Sequence, residues 1–161
     1  METLAARLDR ALRASSPLDA RLEAVLGIVA ERFGARVATL HLLDADGATL
    51  RLRAHRGGLP PAVLEAARSV PVGKGIAGLA AHLREPVSTC NLQTDASGVA
   101  RPGARQTGLK GTMCVPMLDG DRLAGTLGVG VDEEHVFSAQ ETTELLEAGA
   151  RVARACPAQG A

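Results

Sequence analysis

Leucines recur every four residues at Leu4, Leu8 and Leu12, the spacing of one helix face. Ser15-Ser16-Pro17 interrupts this pattern. Ser16 is placed to cap a second helix, with Pro17 at its first position and Asp19 in its first turn. Leu18, Leu22, Val25, Leu26, Val29 and Phe33 form that helix's apolar stripe, and Gly34 ends it. The period then changes. Residues 36–43 are β-branched and apolar and predict a strand, Asp44-Ala45-Asp46-Gly47 a turn, and 48–55 the hairpin partner. In that partner Leu50, Leu52 and Ala54 alternate with Arg51, Arg53 and His55, which predicts one wet face.

Gly57-Gly58 breaks the chain, after which 60–68 predicts a short helix, 70–72 a brief extended piece, 75–84 another helix and 87–90 a short strand. About twenty polar, Gly- and Arg-containing residues follow at 91–110, a connection long enough to suggest function or mobility. A nearly continuous apolar strand at 111–118, the turn Asp119-Gly120-Asp121 and a partner strand at 122–131 make a second hairpin. Ser138 and Glu141 then carry the spacing of a capping box before a last helix with Leu145, Leu146, Gly149 and Val152 on its apolar side. The order α-α-β-β-α-α-β-loop-β-β-α, with two hairpins, implies an α+β layered domain. The organisation expected is an N-terminal helix at 1–15, one domain at 16–156 and a disordered tail at 157–161.

Strand alternation suggests where chemistry lies. Thr39 and His41 alternate with Ala38, Leu40 and Leu42; Thr112 and Cys114 with Met113 and Val115; Thr126, Gly128 and Gly130 with Leu127, Val129 and Val131. Each strand thus has an apolar face for the terminal helices and a small or polar face. The small faces are expected to floor a cavity covered by 73–110. The floor residues are Thr39, His41, Thr112, Cys114 and Thr126. Arg101, Arg105 and Lys110 bring positive charge to the long loop, so an anionic ligand is expected over a cationic one.

Composition narrows the options. The chain has 161 residues with 18 Lys+Arg against 18 Asp+Glu, so no broad footprint for nucleic acid or anionic membrane is expected. With no Trp or Tyr and only Phe33 and Phe137, it lacks a stacking platform for single strands. Cys90, Cys114 and Cys156 are odd in number and form no C-x-x-C, against a disulfide framework or structural zinc, and they suggest a cytoplasmic setting. His41, His55, His82 and His135 form no metal-ligand pair in sequence, so no metal is expected. Neither a secretory signal nor a membrane-spanning stretch is evident. Gly73-Lys74-Gly75-Ile76-Ala77-Gly78 fits G-x-G-x-x-G, but it follows an antiparallel hairpin and a Pro-containing segment, where a dinucleotide fold would not put it.

Three stretches in order, VPVGKGIAGLAAHLREPVSTCNL, GLKGTMCVPMLDGDRLAGTLGVG and VFSAQETTELLEAGARVARA, resemble a GAF domain, the small-molecule sensor module of bacterial signalling proteins. The resemblance implies a central antiparallel sheet of five or six strands, terminal helices on one face, and pocket-covering helices and a loop on the other. It adds Ile76, Ala77, Cys90 and Asn91 to the roof. The cyclic-nucleotide signature and the aromatic pocket of bilin-binding relatives are not matched. Free-methionine-R-sulfoxide reductases are similar in length but carry a Cys where this chain has Ala77, and a second in the loop where this chain has none between Asn91 and Thr112.

The expected function is therefore a non-catalytic sensory or regulatory domain with no assigned cofactor. It would bind a small molecule, form a homodimer through its terminal helices and signal through a separate protein. The alternative is a cysteine-dependent redox enzyme of that reductase type, using Cys90 or Cys114. The loop generates a first prediction: without ligand, amides across 91–110 exchange with solvent faster than those of 111–118. Hydrogen-exchange mass spectrometry showing equal protection would contradict it.

Overall fold

The two hairpins expected from the alternation form, and they join through their inner strands. The computed structural model describes residues 1–101 and 103–156; the expected tail at 157–161 lies outside them. The elements are α1 (Leu4–Arg13), α2 (Leu18–Phe33), β1 (Val37–Leu43), β2 (Thr49–Arg56), α3 (Pro61–Ala67), β3 (Ser69–Pro71), α4 (Gly75–Leu83), β4 (Val87–Thr89), β5 (Thr112–Asp119), β6 (Arg122–Gly130) and α5 (Ala139–Ala155), with one helical turn at Ala104–Thr107 in the long loop. They make an α+β fold around one six-stranded sheet, ordered β3-β2-β1-β6-β5-β4 and antiparallel throughout. Pro71 is tolerated because β3 is an edge strand, where a missing donor breaks no ladder.

One face of the sheet carries α1, α2 and α5. Leu22, Leu26, Leu40, Val115, Met117, Leu127, Leu145 and Val152 are fully buried between the layers. α1 is capped by Thr3, whose hydroxyl accepts the Ala6 amide at 3.1 Å. Its Leu8 and Leu12 are buried against α2 and α5 of the same chain. Leu8 and Leu12 of the stripe that suggested a homodimer are thus covered within the monomer, while Leu4 is only partly buried. The Ser138–Glu141 capping box of α5 forms in both directions. The cap of α2 differs from expectation. Pro17 itself occupies the cap position, without a side-chain bond, and Ser16 offers its carbonyl to Arg21 Nε at 3.0 Å.

Strict alternation fails at two places, each an extra residue in a strand. The β1–β2 register shifts between Leu40 and His41, so Leu40 faces Ala54 while His41 faces Leu52. Leu50 therefore packs on the far side of the sheet from the helices, with Val70 and Ala81, while Ala54 joins the helix layer. The single wet face read from Leu50, Leu52 and Ala54 is corrected accordingly. The β5–β6 register shifts between Met117 and Leu118. Ala124 joins the helix layer, and Leu123 packs on the opposite side with Leu50.

Gly125 lies where β6 crosses β1. A Cβ there would fall on the His41 carbonyl, so only glycine lets the two backbones meet. Gly125→Ala is expected to cost about 3 kcal/mol, the upper end of overpacking penalties. Urea unfolding measures this, and an unchanged midpoint would contradict it.

Candidate functional site

The face of the sheet away from the terminal helices is the small face. α3, α4 and the loop 91–110 arch over it and enclose a cavity of about 370 Å³. Thr39 and His41 of β1, Thr112 and Cys114 of β5, and Gly128 and Gly130 of β6 line its floor. Gly128 keeps the floor open: a Cβ there would stand 3.1 Å from Thr39 Oγ1 and 3.6 Å from Cys114 Sγ.

The polar groups of the floor are largely spoken for. Thr112 and Thr89 share a hydroxyl–hydroxyl bond of 2.8 Å. His41, 3% exposed, donates Nε2–H to the Ala67 carbonyl at 2.8 Å, leaving Nδ1 as an acceptor with no partner. Burial lowers its pKa from the ordinary 6.5, opposed by the bond to Ala67. Opposite it on β6, Thr126 is fully buried, and its hydroxyl finds no oxygen or nitrogen partner. That hydroxyl lies against the Cys114 thiol, whose pKa burial pushes up to about 12. Cys114 is therefore a neutral thiol at physiological pH, not an activated nucleophile.

The roof explains the glycine motif. Gly73 folds back onto α4, its amide donating to the Gly78 carbonyl at 2.7 Å, and a Cβ on Gly78 would strike the Pro71 carbonyl. The motif is thus a steric solution for a turn packed on its own helix. Ile76 and Ala77 from this helix line the cavity, as does the Lys74 that precedes it. Arg101 reaches across the mouth. Its stem lies over Gly75, where a Cβ would be 2.6 Å from Arg101 Cγ, and Nη1 donates to the Ala66 carbonyl at 3.0 Å.

Of the residues expected from sequence, the structure brings Thr39, His41, Ile76, Ala77, Arg101, Thr112 and Cys114 to this cavity. Thr126 sits beneath the floor, where α4 packs over β5 and β6. Cys90, Asn91, Arg105 and Lys110 lie outside the lining. Cys90 is exposed. Asn91 ties the loop, accepting the Gln93 amide at 3.0 Å and donating to Glu134 at 3.2 Å. Arg105 is exposed and donates to the Asp95 carbonyl at 2.6 Å. Sequence reasoning missed Ala62, Val63, Ala66 and Ala67 of α3, and Lys74. The spacing of the four α3 residues was the available signal, since they share one helix face. Among the described residues, no group of three or more His, Cys, Asp or Glu side chains is placed to hold a metal, and no helix is long and apolar enough to cross a membrane.

A family model, described as GAF domain, matches residues 15–155. The chain belongs to the GAF family. Solved structures share the architecture at low identity. The GAF domain of Acinetobacter phosphoenolpyruvate-protein phosphotransferase is 22% identical, with 92% of this chain and 87% of that chain covered and a TM-score of 0.77. The corresponding domain from Coxiella burnetii is 20% identical, with 94% and 89% covered and a TM-score of 0.77. Free methionine-R-sulfoxide reductase from Neisseria meningitidis, solved with its substrate, is 17% identical, with 96% and 90% covered and a TM-score of 0.76. At these identities the likeness is one of fold, and it spans both regulatory domains and enzymes. No curated protein matches the chain.

Two predictions follow from the floor. Iodoacetamide near neutral pH is expected to label Cys90 much faster than Cys114 or Cys156, as read by peptide mass spectrometry; fast labelling of Cys114 in folded protein would contradict the buried, neutral thiol. For His41, the folded pKa lies below the unfolded 6.5, so on acidification the unfolded chain takes up its proton first. The stability due to neutral burial is complete above 6.5 and declines as pH falls below it. Histidine NMR titration is expected to place the His41 midpoint below 6.5, and a midpoint at or above 6.5 would contradict the assignment.

Proposed function

We propose that this chain is a non-catalytic regulatory domain that senses a small molecule in the cavity between the sheet and α3, α4 and the long loop. The cavity itself carries the proposal: about 370 Å³, mostly apolar, with a few polar groups at fixed positions, the ordinary composition of a small-molecule site. The floor offers a ligand surface for packing, and its one thiol is a weak nucleophile.

The second reading is a thiol-dependent reductase of the kind named among the structural neighbours. It is favoured only by Cys114 lining the cavity, and its chemistry needs a thiolate that burial opposes. Cys90 is outside the lining. Assay with free methionine sulfoxide and a thiol reductant separates the two. The sensor reading expects no turnover above that of a Cys90→Ser, Cys114→Ser double variant.

Native mass spectrometry of the purified protein, followed by thermal-shift screening of metabolite mixtures, tests binding directly. Ala66→Trp, at the cavity mouth, is expected to abolish any shift while the protein stays folded. A protein that carries nothing and responds to no small molecule would overturn the proposal. Output through a partner chain and self-association through the terminal helices belong to the same proposal. Sedimentation at micromolar concentration is expected to give twice the 16.6 kDa of one chain, and a monomer would remove self-association from it.

A further inference from the structure

The charges around the cavity have one sign. Among the described residues its lining holds no Asp or Glu, and its charged members are Lys74 and Arg101. Neither appears in any ion pair among the described residues. They stand together, because the Arg101 stem lies on Gly75, the residue after Lys74. The bond from Nη1 to the Ala66 carbonyl holds the guanidinium across the mouth, and its other N–H groups make no bond among the described residues. A planar donor fork fixed in advance loses less side-chain freedom on meeting a carboxylate. α4 starts at the same place, and its first turn has no side-chain cap, so its amide dipoles add the same sign.

The floor carries no counter-charge. His41 is buried beside Thr126, bound through Nε2 to the Ala67 carbonyl, next along α3 from the Ala66 carbonyl that takes Arg101, and it keeps a bare acceptor at Nδ1. An anion placed there would face lone pairs. Between mouth and floor the walls are apolar, from Val37, Val63, Val70, Ile76, Leu92 and Leu109. A cavity of about 370 Å³ lies at the small end of ligand sites, which run from about 300 to 1,000 Å³.

We propose that the cavity's ligand is a monocarboxylate with a small apolar body, its carboxylate held at the mouth by Arg101 and Lys74 and its body laid over the Thr39–Cys114 floor. This rests on the small-molecule-binding reading and adds the class of ligand. It also revises which loop cations matter: Arg101, with Lys74, in place of Arg105 and Lys110.

A matched set of probes tests it by calorimetry at low salt: phenylbutyrate, phenylbutyramide and phenylbutylamine, which share a body and differ in head-group charge. The acid is expected to bind at least about tenfold more tightly than the amide, the difference a charge-assisted bond makes, with the amine weakest. In Arg101→Gln, and to a smaller degree in Lys74→Gln, acid and amide are expected to converge. The amide is expected to lose less than the acid in these variants, and an unchanged urea midpoint shows that they are folded. Amide equal to acid in the wild type, amine the tightest, or a preference for acid that survives both substitutions would each overturn the ligand class while leaving the cavity a binding site. Failure of all three probes to bind would likewise overturn the ligand class, while the binding reading itself stands or falls on the metabolite screen.

Discussion

The antiparallel register between β1 and β6 is the constraint on which the rest of the molecule depends. It joins two hairpins far apart in sequence, running from Val37 opposite Gly130 to Leu42 opposite Gly125. Because side chains alternate across a sheet, this register places Leu40 and Leu127 on the helix side and His41 and Thr126 on the other. A slip of one residue would turn the leucines into the cavity and the polar pair into the core. Gly125 pins the register, since its backbone approaches that of His41 too closely for any side chain. The helix layer then seals the apolar face, and the remaining face is left to α3, α4 and the loop.

That division gives the site its character. The floor comes from central strands, so its groups are rigid, buried and nearly neutral: a hydroxyl pair, an imidazole held in one tautomer and a thiol that burial keeps protonated. The mouth comes from the start of a helix and from a loop: Lys74 is exposed there, and Arg101 is held across it by its bond to the Ala66 carbonyl. The thiol is buried in the floor, and the charge stands at the mouth.

The sheet, the helix layer and the floor were legible in the sequence because each depends on local periodicity. Thr39, His41, Thr112 and Cys114 sit on the cavity face because alternation put them there, and Ser138 with Glu141 caps α5 because capping is set within four residues. What was not legible depends on contacts distant in sequence. The two extra strand residues, which send Leu50 and Ala54 to opposite faces, leave no mark on an alternating pattern. The covering of Leu8 and Leu12 by α2 and α5 could not be told from a face awaiting a second copy. In the loop, no periodicity says which way a side chain turns. Arg101 crosses the mouth, whereas Arg105 bonds the Asp95 carbonyl outside the lining.

One face of the sheet packs on the terminal helices, and we propose that the other receives a ligand. Methyl-resolved NMR of the protein titrated with phenylbutyrate tests it most directly. The account predicts shifts at Val37, Val63, Ile76 and Leu109, which line the cavity, with Leu22, Leu26 and Leu145 in the helix layer unmoved. Shifts centred on the helix layer, with the cavity methyls silent, would contradict it.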